Sequence, residues 1–360
     1  MKIKLLKIMD RLVGIFATVC LPLAPVRPFP ILKRLLIIRP GGIGDAVLLA
    51  PVISCIKYLY PNSCITILAE IRNCGVFSLM HGVNKVFCYD HPGEFIQALL
   101  GRYDVVIDTE QWYRLSAVVA RFVSAPVKIG FDTNGRRRMF THTIRYDQHV
   151  YEMDNFFSLL KPLGIDCTRS AETKTLLLPT QSVSNTHQLL QSLVSESFIT
   201  IFPGASISER RWGADRFRSV AEALSAFGVN IVVVGGKEDR QQGEVIAGGG
   251  LGLNLVGLTS LAETAAIIQK SSLLVSGDSG LLHMAVVFDV PTVSLFGPGQ
   301  AKKWAPRGGR HIVINKGLPC SPCTVFGNTP PCPHHIRCMC DITVDDVVNA
   351  IISLLEPVPK

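Results

Sequence analysis

The feature that most constrains this chain is an alternation of short β-branched runs with helix-length stretches, and it occurs twice. Runs at residues 35–38, 64–68, 105–108 and 127–129 form the first series; runs at 198–202, 229–234, 253–256, 273–276 and 292–296 form the second. Strands separated by helical spacing need crossover connections, which build parallel sheets covered by helices. Each series opens alike, with an apolar strand running into a Pro-Gly turn, LLIIRPGG in one and ITIFPGAS in the other. The expected fold class is α/β, with two Rossmann-like domains whose parallel sheets face each other across a cleft. The length of 360 residues agrees, since one domain takes about 100–200 residues.

A polar, Thr- and Ser-rich stretch at 168–197, with Pro179 and a helix-forming segment at 185–193, separates the two series. This spacing predicts an N-terminal segment at 1–30, a first domain at 31–185, a second at 190–342 and a terminal helix at 343–360. Val347, Val348, Ile351, Ile352 and Leu355 give that helix one apolar face, which would close back on the first domain.

A formal net charge of +8 biases the surface toward anionic partners: nucleic acid, a phosphorylated substrate or an acidic membrane face. Nucleic acid is the weakest of these, because the basic residues are scattered apart from Arg136, Arg137 and Arg138, and no RNA-binding or zinc-finger signature accompanies them. Near the start, Lys2, Lys4 and Lys7 precede an apolar stretch at 12–26. That stretch is shorter than the roughly 20 apolar residues of a spanning helix, Pro22 and Pro25 break it, and Ala17-Thr18-Val19-Cys20 is a poor cleavage site. Two readings remain open: a basic, apolar helix lying on the inner membrane surface, and a helix docked on the protein's own flank.

The first turn, Gly41-Gly42-Ile43-Gly44-Asp45, invites comparison with the G-x-G-x-x-G dinucleotide fingerprint. Gly42 and Gly44 fit and Glu70 is placed to hold a ribose, but Val47 stands where the third glycine belongs. A P-loop is excluded, since Gly236-Lys237 is followed by Glu238. Asp45 also opposes phosphate binding, because its charge would occupy the positive end of the following helix. It is either a helix cap or a base, and its place at the carboxyl edge of a first strand, flanked by glycines that admit a substrate, favours the base. Pro51 would kink the following helix.

In the second half, Ser206, Arg210 and Arg211 lie in or beside the turn after the first strand, with the chemistry of a diphosphate site. Gly277, Asp278, Ser279 and Gly280 lead from a buried strand into a helix carrying His283; the N–H groups of Ser279, Gly280 and Leu281 would form a phosphate seat. A hydrolase elbow at Ser279 is excluded because Leu281 stands where that motif needs glycine. His283 is either a ligand contact or a hydrogen-bonded core histidine. Glu238 and Asp239, after Gly235-Gly236, are candidates for ribose hydroxyls or ordinary helix-start acids.

Taken in order, RPGGIGDAVLLAPVI, PGASISERRW, VVVGGKED and GDSGLLHMA make the chain, over roughly residues 34–350, resemble the bacterial lipopolysaccharide heptosyltransferases, glycosyltransferase family 9. The resemblance implies a GT-B fold with the acceptor bound mainly by the first domain and the nucleotide sugar by the second. It implies inverting, metal-independent transfer of heptose from ADP-heptose to the lipopolysaccharide core or a related anionic, lipid-linked saccharide, by a cytoplasmic protein peripheral to the inner membrane face. Asp45 matches the family's general base, in an acceptor loop with Gly41, Gly42 and Gly44. Arg210 and Ser206 match donor-phosphate contacts, with Arg210 standing where a lysine is more usual. Asp278, Ser279 and Gly280 match the phosphate loop, and Glu238 or Asp239 the ribose acid. The rival classes are a nicotinamide-dependent oxidoreductase and a catalytically silent nucleotide-sugar binder.

Eleven cysteines are present, five of them in CSPCTVFGNTPPCPHHIRCMC: Cys320, Cys323, Cys332, Cys338 and Cys340, with His334 and His335 between. C-x-x-C followed by further Cys and His has the chemistry of a structural zinc site, but the spacing fits no standard finger. The first four are the weak metal candidates; no metal is expected in catalysis, and a cytosolic compartment argues against stable disulfides.

Overall fold

The computed structural model describes residues 2–26, 28–166, 175–193 and 197–355. The chain divides into two compact units, Met1–Thr175 and Leu176–Lys360, so the division falls ahead of the 185–190 boundary that composition suggests.

The first unit holds β1 (Arg34–Arg39), β2 (Cys64–Ala69), β3 (Val83–Cys88), β4 (Val105–Asp108), β5 (Val127–Phe131) and β6 (His142–Ile144). They form one sheet in the order β3-β2-β1-β4-β5-β6, with every neighbouring pair parallel. The second unit holds β7 (Phe198–Phe202), β8 (Asn230–Val233), β9 (Leu253–Asn254), β10 (Leu273–Gly277), β11 (Thr292–Leu295) and β12 (His311–Ile314). Their order, β12-β11-β10-β7-β8-β9, is the same doubly wound arrangement repeated, again parallel throughout. These are the two Rossmann-like sheets of the expected GT-B class. The central strands are buried on both faces, as runs such as LLII and LLVS require, because helices cover both sides.

In each sheet the order reverses beside the first strand, between β1 and β4 and between β7 and β10. Loops leaving the carboxyl ends of those strands diverge to opposite faces, which opens the crevice where such sheets take ligands.

Two terminal elements settle on the second unit. Helix Thr180–Leu189 is tied to helix Leu261–Lys270 through Asn185 Nδ2 donating to Glu263 Oε1 at 2.8 Å. Helix Val344–Leu355 buries Val347, Ala350 and Ile351 in that unit's core with Trp212 and Phe217, so its apolar face is used there. Trp212 Nε1 donates to Ile342 O at 3.1 Å, fixing the chain just ahead of this helix.

Candidate active site

At the first switch point β1 ends on Arg39 and the chain turns through Pro40, Gly41 and Gly42 into helix Ile43–Leu48. Gly41 has φ +110°, which favours glycine, and its N–H donates to Glu70 Oε2 at 3.0 Å. Glu70 also accepts from Arg72 Nε at 2.6 Å and Nη2 at 2.9 Å. The acid that a dinucleotide ribose would need is thus engaged in fixing the turn.

The helix N-cap is Gly42, so Asp45 is not the cap; it stands in the first turn. Its Oδ2 accepts from Arg39 Nη2 at 2.6 Å, with the arginine side chain 2% and the aspartate 21% exposed. Arg39 Nη1 donates to Thr109 O at 2.8 Å, just beyond β4, and the guanidinium lies 5.5 Å from the Phe156 ring centroid. Burial alone would disfavour the charged guanidinium, but Asp45, Glu110 and Glu152 outweigh it, and its pKa is raised. The helix breaks at Leu49, and Pro51 falls in the first turn of helix Ala50–Leu59, where its missing N–H has no intrahelical partner to lose.

Around this pair lie groups that no local motif announces. Glu152 is fully buried and accepts from Tyr146 Oη at 2.7 Å and Gln111 Nε2 at 2.5 Å. Burial first, then the Glu152 carboxylate, pushes the Tyr146 phenol well above its ordinary value, so it stays a donor. At the end of β4, Asp108 pairs with Arg136 Nη2 at 2.5 Å, both wholly buried. Burial raises the Asp108 pKa against the pull of Arg136.

At the second switch point, β7 delivers Pro203, Gly204, Ala205 and an exposed Ser206, followed by the short turn Ser208–Arg210. β10 delivers Asp278, whose Oδ2 lies 2.8 Å from Arg210 Nη1; side-chain exposures are 8% for the acid and 16% for the arginine. Gly299 makes room for this acid, since a Cβ there would meet Asp278 Oδ2 at 2.3 Å. Ser279 is the N-cap of helix Gly280–Val287, its Oγ accepting from Leu282 N at 3.3 Å and meeting Ser276 Oγ at 2.7 Å. The Ser279 hydroxyl therefore shapes the loop, while the backbone N–H groups of the first turn face the helix entrance.

Asp239 and Glu238 separate cleanly. Asp239 is buried, lies 3.3 Å from Arg211 Nη2 and accepts from Gly236 N at 3.3 Å. It fills the space left by Gly204, where a Cβ would meet its Oδ2 at 2.4 Å. Burial raises its pKa while Arg211 opposes the rise. Arg211 also donates to Ala205 O at 3.2 and 3.1 Å, so it braces the loop. Glu238 is exposed beside the same glycine pair and remains the acid accessible to a ligand. His283 is 3% exposed with Nδ1 unpartnered among the described residues; burial, opposed by Asp278, depresses its pKa to about 4. It is a neutral imidazole inside the helix packing.

A cavity of about 120 Å³ is lined by Cys320, Cys323, Cys332 and Cys338 together with His334. Burial, with the three other thiols adding, pushes the Cys338 thiol up to about 11. Among the described residues no three His, Cys, Asp or Glu side chains are grouped to hold a metal ion. Cys55 is disulfide-bonded, against the expectation of no stable disulfide.

Residues 93–332 match the family model for glycosyltransferase family 9 (heptosyltransferase). The chain is 28% identical to lipopolysaccharide heptosyltransferase 3 of Escherichia coli over 300 residues, 76% of this chain and 86% of that protein. Among solved structures it resembles the family 9 glycosyl transferase from Veillonella parvula, with a TM-score of 0.76, 20% identity and coverage of 92% of this chain and 99% of that one. It also resembles the E. coli heptosyltransferase WaaC with ADP-2-deoxy-2-fluoro heptose, with a TM-score of 0.67, 17% identity and coverage of 89% and 99%. The family match spans more than half the chain and includes the whole second switch point, so this chain belongs to glycosyltransferase family 9, the heptosyltransferases, and is a glycosyltransferase.

Proposed function

We propose that the chain transfers heptose from ADP-heptose, with inversion and without a metal ion, to an anionic, lipid-linked saccharide of the lipopolysaccharide core at the inner membrane face. The observation that carries this is the opposite polarity of the two switch points. The first presents a carboxylate held by a buried arginine; the second presents a guanidinium beside a helix N-terminus. The similarity to lipopolysaccharide heptosyltransferases and to a heptosyltransferase solved with an ADP-heptose analogue supports the choice of donor and acceptor.

In this reading Asp45 takes the proton from an acceptor hydroxyl as that oxygen attacks the anomeric carbon opposite the diphosphate. Arg39 holds Oδ2, and Oδ1 accepts no hydrogen bond from the described residues, leaving it for the acceptor. The C–O bond to ADP breaks as the new glycosidic bond forms. Arg210 and the N–H groups at Ser279 and Gly280 take up the negative charge arriving on the diphosphate, the office a divalent ion serves elsewhere. Ser206 adds a hydroxyl donor and Glu238 accepts from the ribose. The Gly41, Gly42 and Gly44 turn admits the acceptor sugar.

The test is Asp45→Asn. ADP should still raise the melting temperature by its mass-action amount, while the transfer rate falls by about 10³. Full activity in this variant would remove Asp45 from the mechanism. Melting shifts with NAD but not ADP would overturn the donor assignment.

A further inference from the structure

The N-terminal helical segment is built inside out. Lys2–Met9, the π-turn Asp10–Gly14 and Ile15–Cys20 follow one another without a break. The stripe turned into the first unit is small and polar: Asp10, Gly14, Ala17 and Thr18 are buried. Asp10 Oδ1 accepts the backbone N–H of Arg114 at 2.5 Å and of Leu115 at 2.8 Å, capping helix Arg114–Phe122. A Cβ on Gly14 would lie 2.8 Å from Arg114 Cβ, and Arg138 Nη1 donates to Val19 O at 3.1 Å.

The opposite arc is apolar and exposed: Leu12 by 68%, Phe16 by 69% and Val19 by 64%, with Ile8 and Ile15 alongside and Leu23 continuing it. A helix that ends its burial at solvent puts its polar side outward. Here the docking contacts are made by capping and close backbone approach, and the large side chains are left without cover. A contiguous apolar arc of this kind marks a surface that meets another apolar medium.

Charge identifies the medium. Residues 1–34 carry seven Lys and Arg against one acid, Asp10, and that acid is buried in the cap. Two copies meeting through this face would bring like charges together, whereas an anionic lipid surface neutralises them. No helix among the described residues is long and apolar enough to cross a membrane. We propose that this segment lies in the plane of an anionic bilayer, its apolar arc at the boundary of headgroups and acyl chains, and thereby fixes the first unit to the lipid surface. The proposal deepens the lipid-linked acceptor reading above, which gives the attachment its purpose.

The experiment is co-sedimentation of the full chain with vesicles of phosphatidylethanolamine and phosphatidylglycerol, and with phosphatidylcholine alone. The chain should sediment with the anionic vesicles and far less with the neutral ones. Leu12→Ser with Phe16→Ser should lower the partition at least about tenfold, with the melting temperature unchanged because neither side chain is buried. Lys7→Glu with Arg11→Glu should weaken binding to anionic vesicles only. A chain that stays in the supernatant with both lipids, or a serine variant that sediments like the parent, would overturn the proposal. So would a dimer that the serine substitutions convert to monomer without any vesicle binding. ADP-induced stabilisation, measured in parallel, separates the two readings: its loss speaks against the donor assignment and leaves the vesicle result standing.

Discussion

The two switch points occupy the same place in the same topology and solve opposite electrostatic problems. In the first, an arginine at the end of β1 is sunk to 2% exposure and offers up a carboxylate that is 21% exposed. In the second, an aspartate after β10 is sunk to 8% and offers up a guanidinium that is 16% exposed. Each uses a buried counter-charge to hold its partner without neutral packing, which costs desolvation and gains a fixed geometry. The lesson is that a repeated fold supplies the position, while the sign of the buried partner decides what that position can meet: in the proposed mechanism, a hydroxyl to be deprotonated or a phosphate to be held.

The comparison is broken most severely at the first switch point. Asp45→Asn, with its thousand-fold loss of rate, carries the largest expected effect, at about 4 kcal/mol of transition-state stabilisation. Arg39→Met comes next, leaving Asp45, Glu110 and Glu152 without their shared cation; unfolding in urea should register a loss of about 3–5 kcal/mol. If the variant keeps full stability, the first switch point is not an electrostatic unit. Arg210→Ala should raise the donor KM by about ten- to a hundred-fold, as a lost charged contact does. An unchanged KM would leave the second switch point without its assigned role.

His283 sharpens the contrast through pH. Its pKa falls from 6.5 when unfolded to about 4 when folded, so below pH 6.5 the unfolded chain binds a proton that the folded chain refuses. Stability must then drop as pH falls from about 6.5 to 4, by at most about 3 kcal/mol for this group. In His283→Gln the melting temperature should fall less steeply over that range. The smallest effects lie in the first turn. Gly41→Ala, at φ +110°, should cost about 1–2 kcal/mol, whereas Gly42→Ala, whose Cβ would meet open space, should stay within about 0.5 kcal/mol. Loss of transfer in a stable Gly42→Ala would mean that the acceptor comes that close.

Much of this was legible in the sequence because it is local. The central strands read as continuous apolar runs, and Asp45 and Asp278 stand beside glycines just past strand ends, where a short window captures both the turn and the charge. The edge strands β3, β6 and β12 were not, since VNKVFC, HTI and HIVI are only partly buried and lack a two-sided apolar signature. Arg39 was hidden for a different reason. It reads as the polar end of a strand, and its partners lie far along the chain: Thr109 and Glu110 are brought to it by β4 pairing with β1, and Glu152 by the helix Glu152–Ser158. Glu238 and Asp239 could not be told apart because adjacent acids differ here only in which one the fold buries. The N-terminal segment left two readings open, and its docking through Asp10 and Gly14 shows that a helix can rest on its own protein while keeping its apolar side out.

The glycine vacancies bind the fate of distant positions together. Asp239 occupies the room that Gly204 leaves, and Asp278 the room that Gly299 leaves. Under random mutagenesis each pair should behave epistatically: Gly204→Ala, damaging alone, should be partly rescued by shortening Asp239 to Ser, and the double variant should be fitter than the sum of its parts. A library screened one position at a time would record these four residues as simply intolerant and miss that each pair can move together.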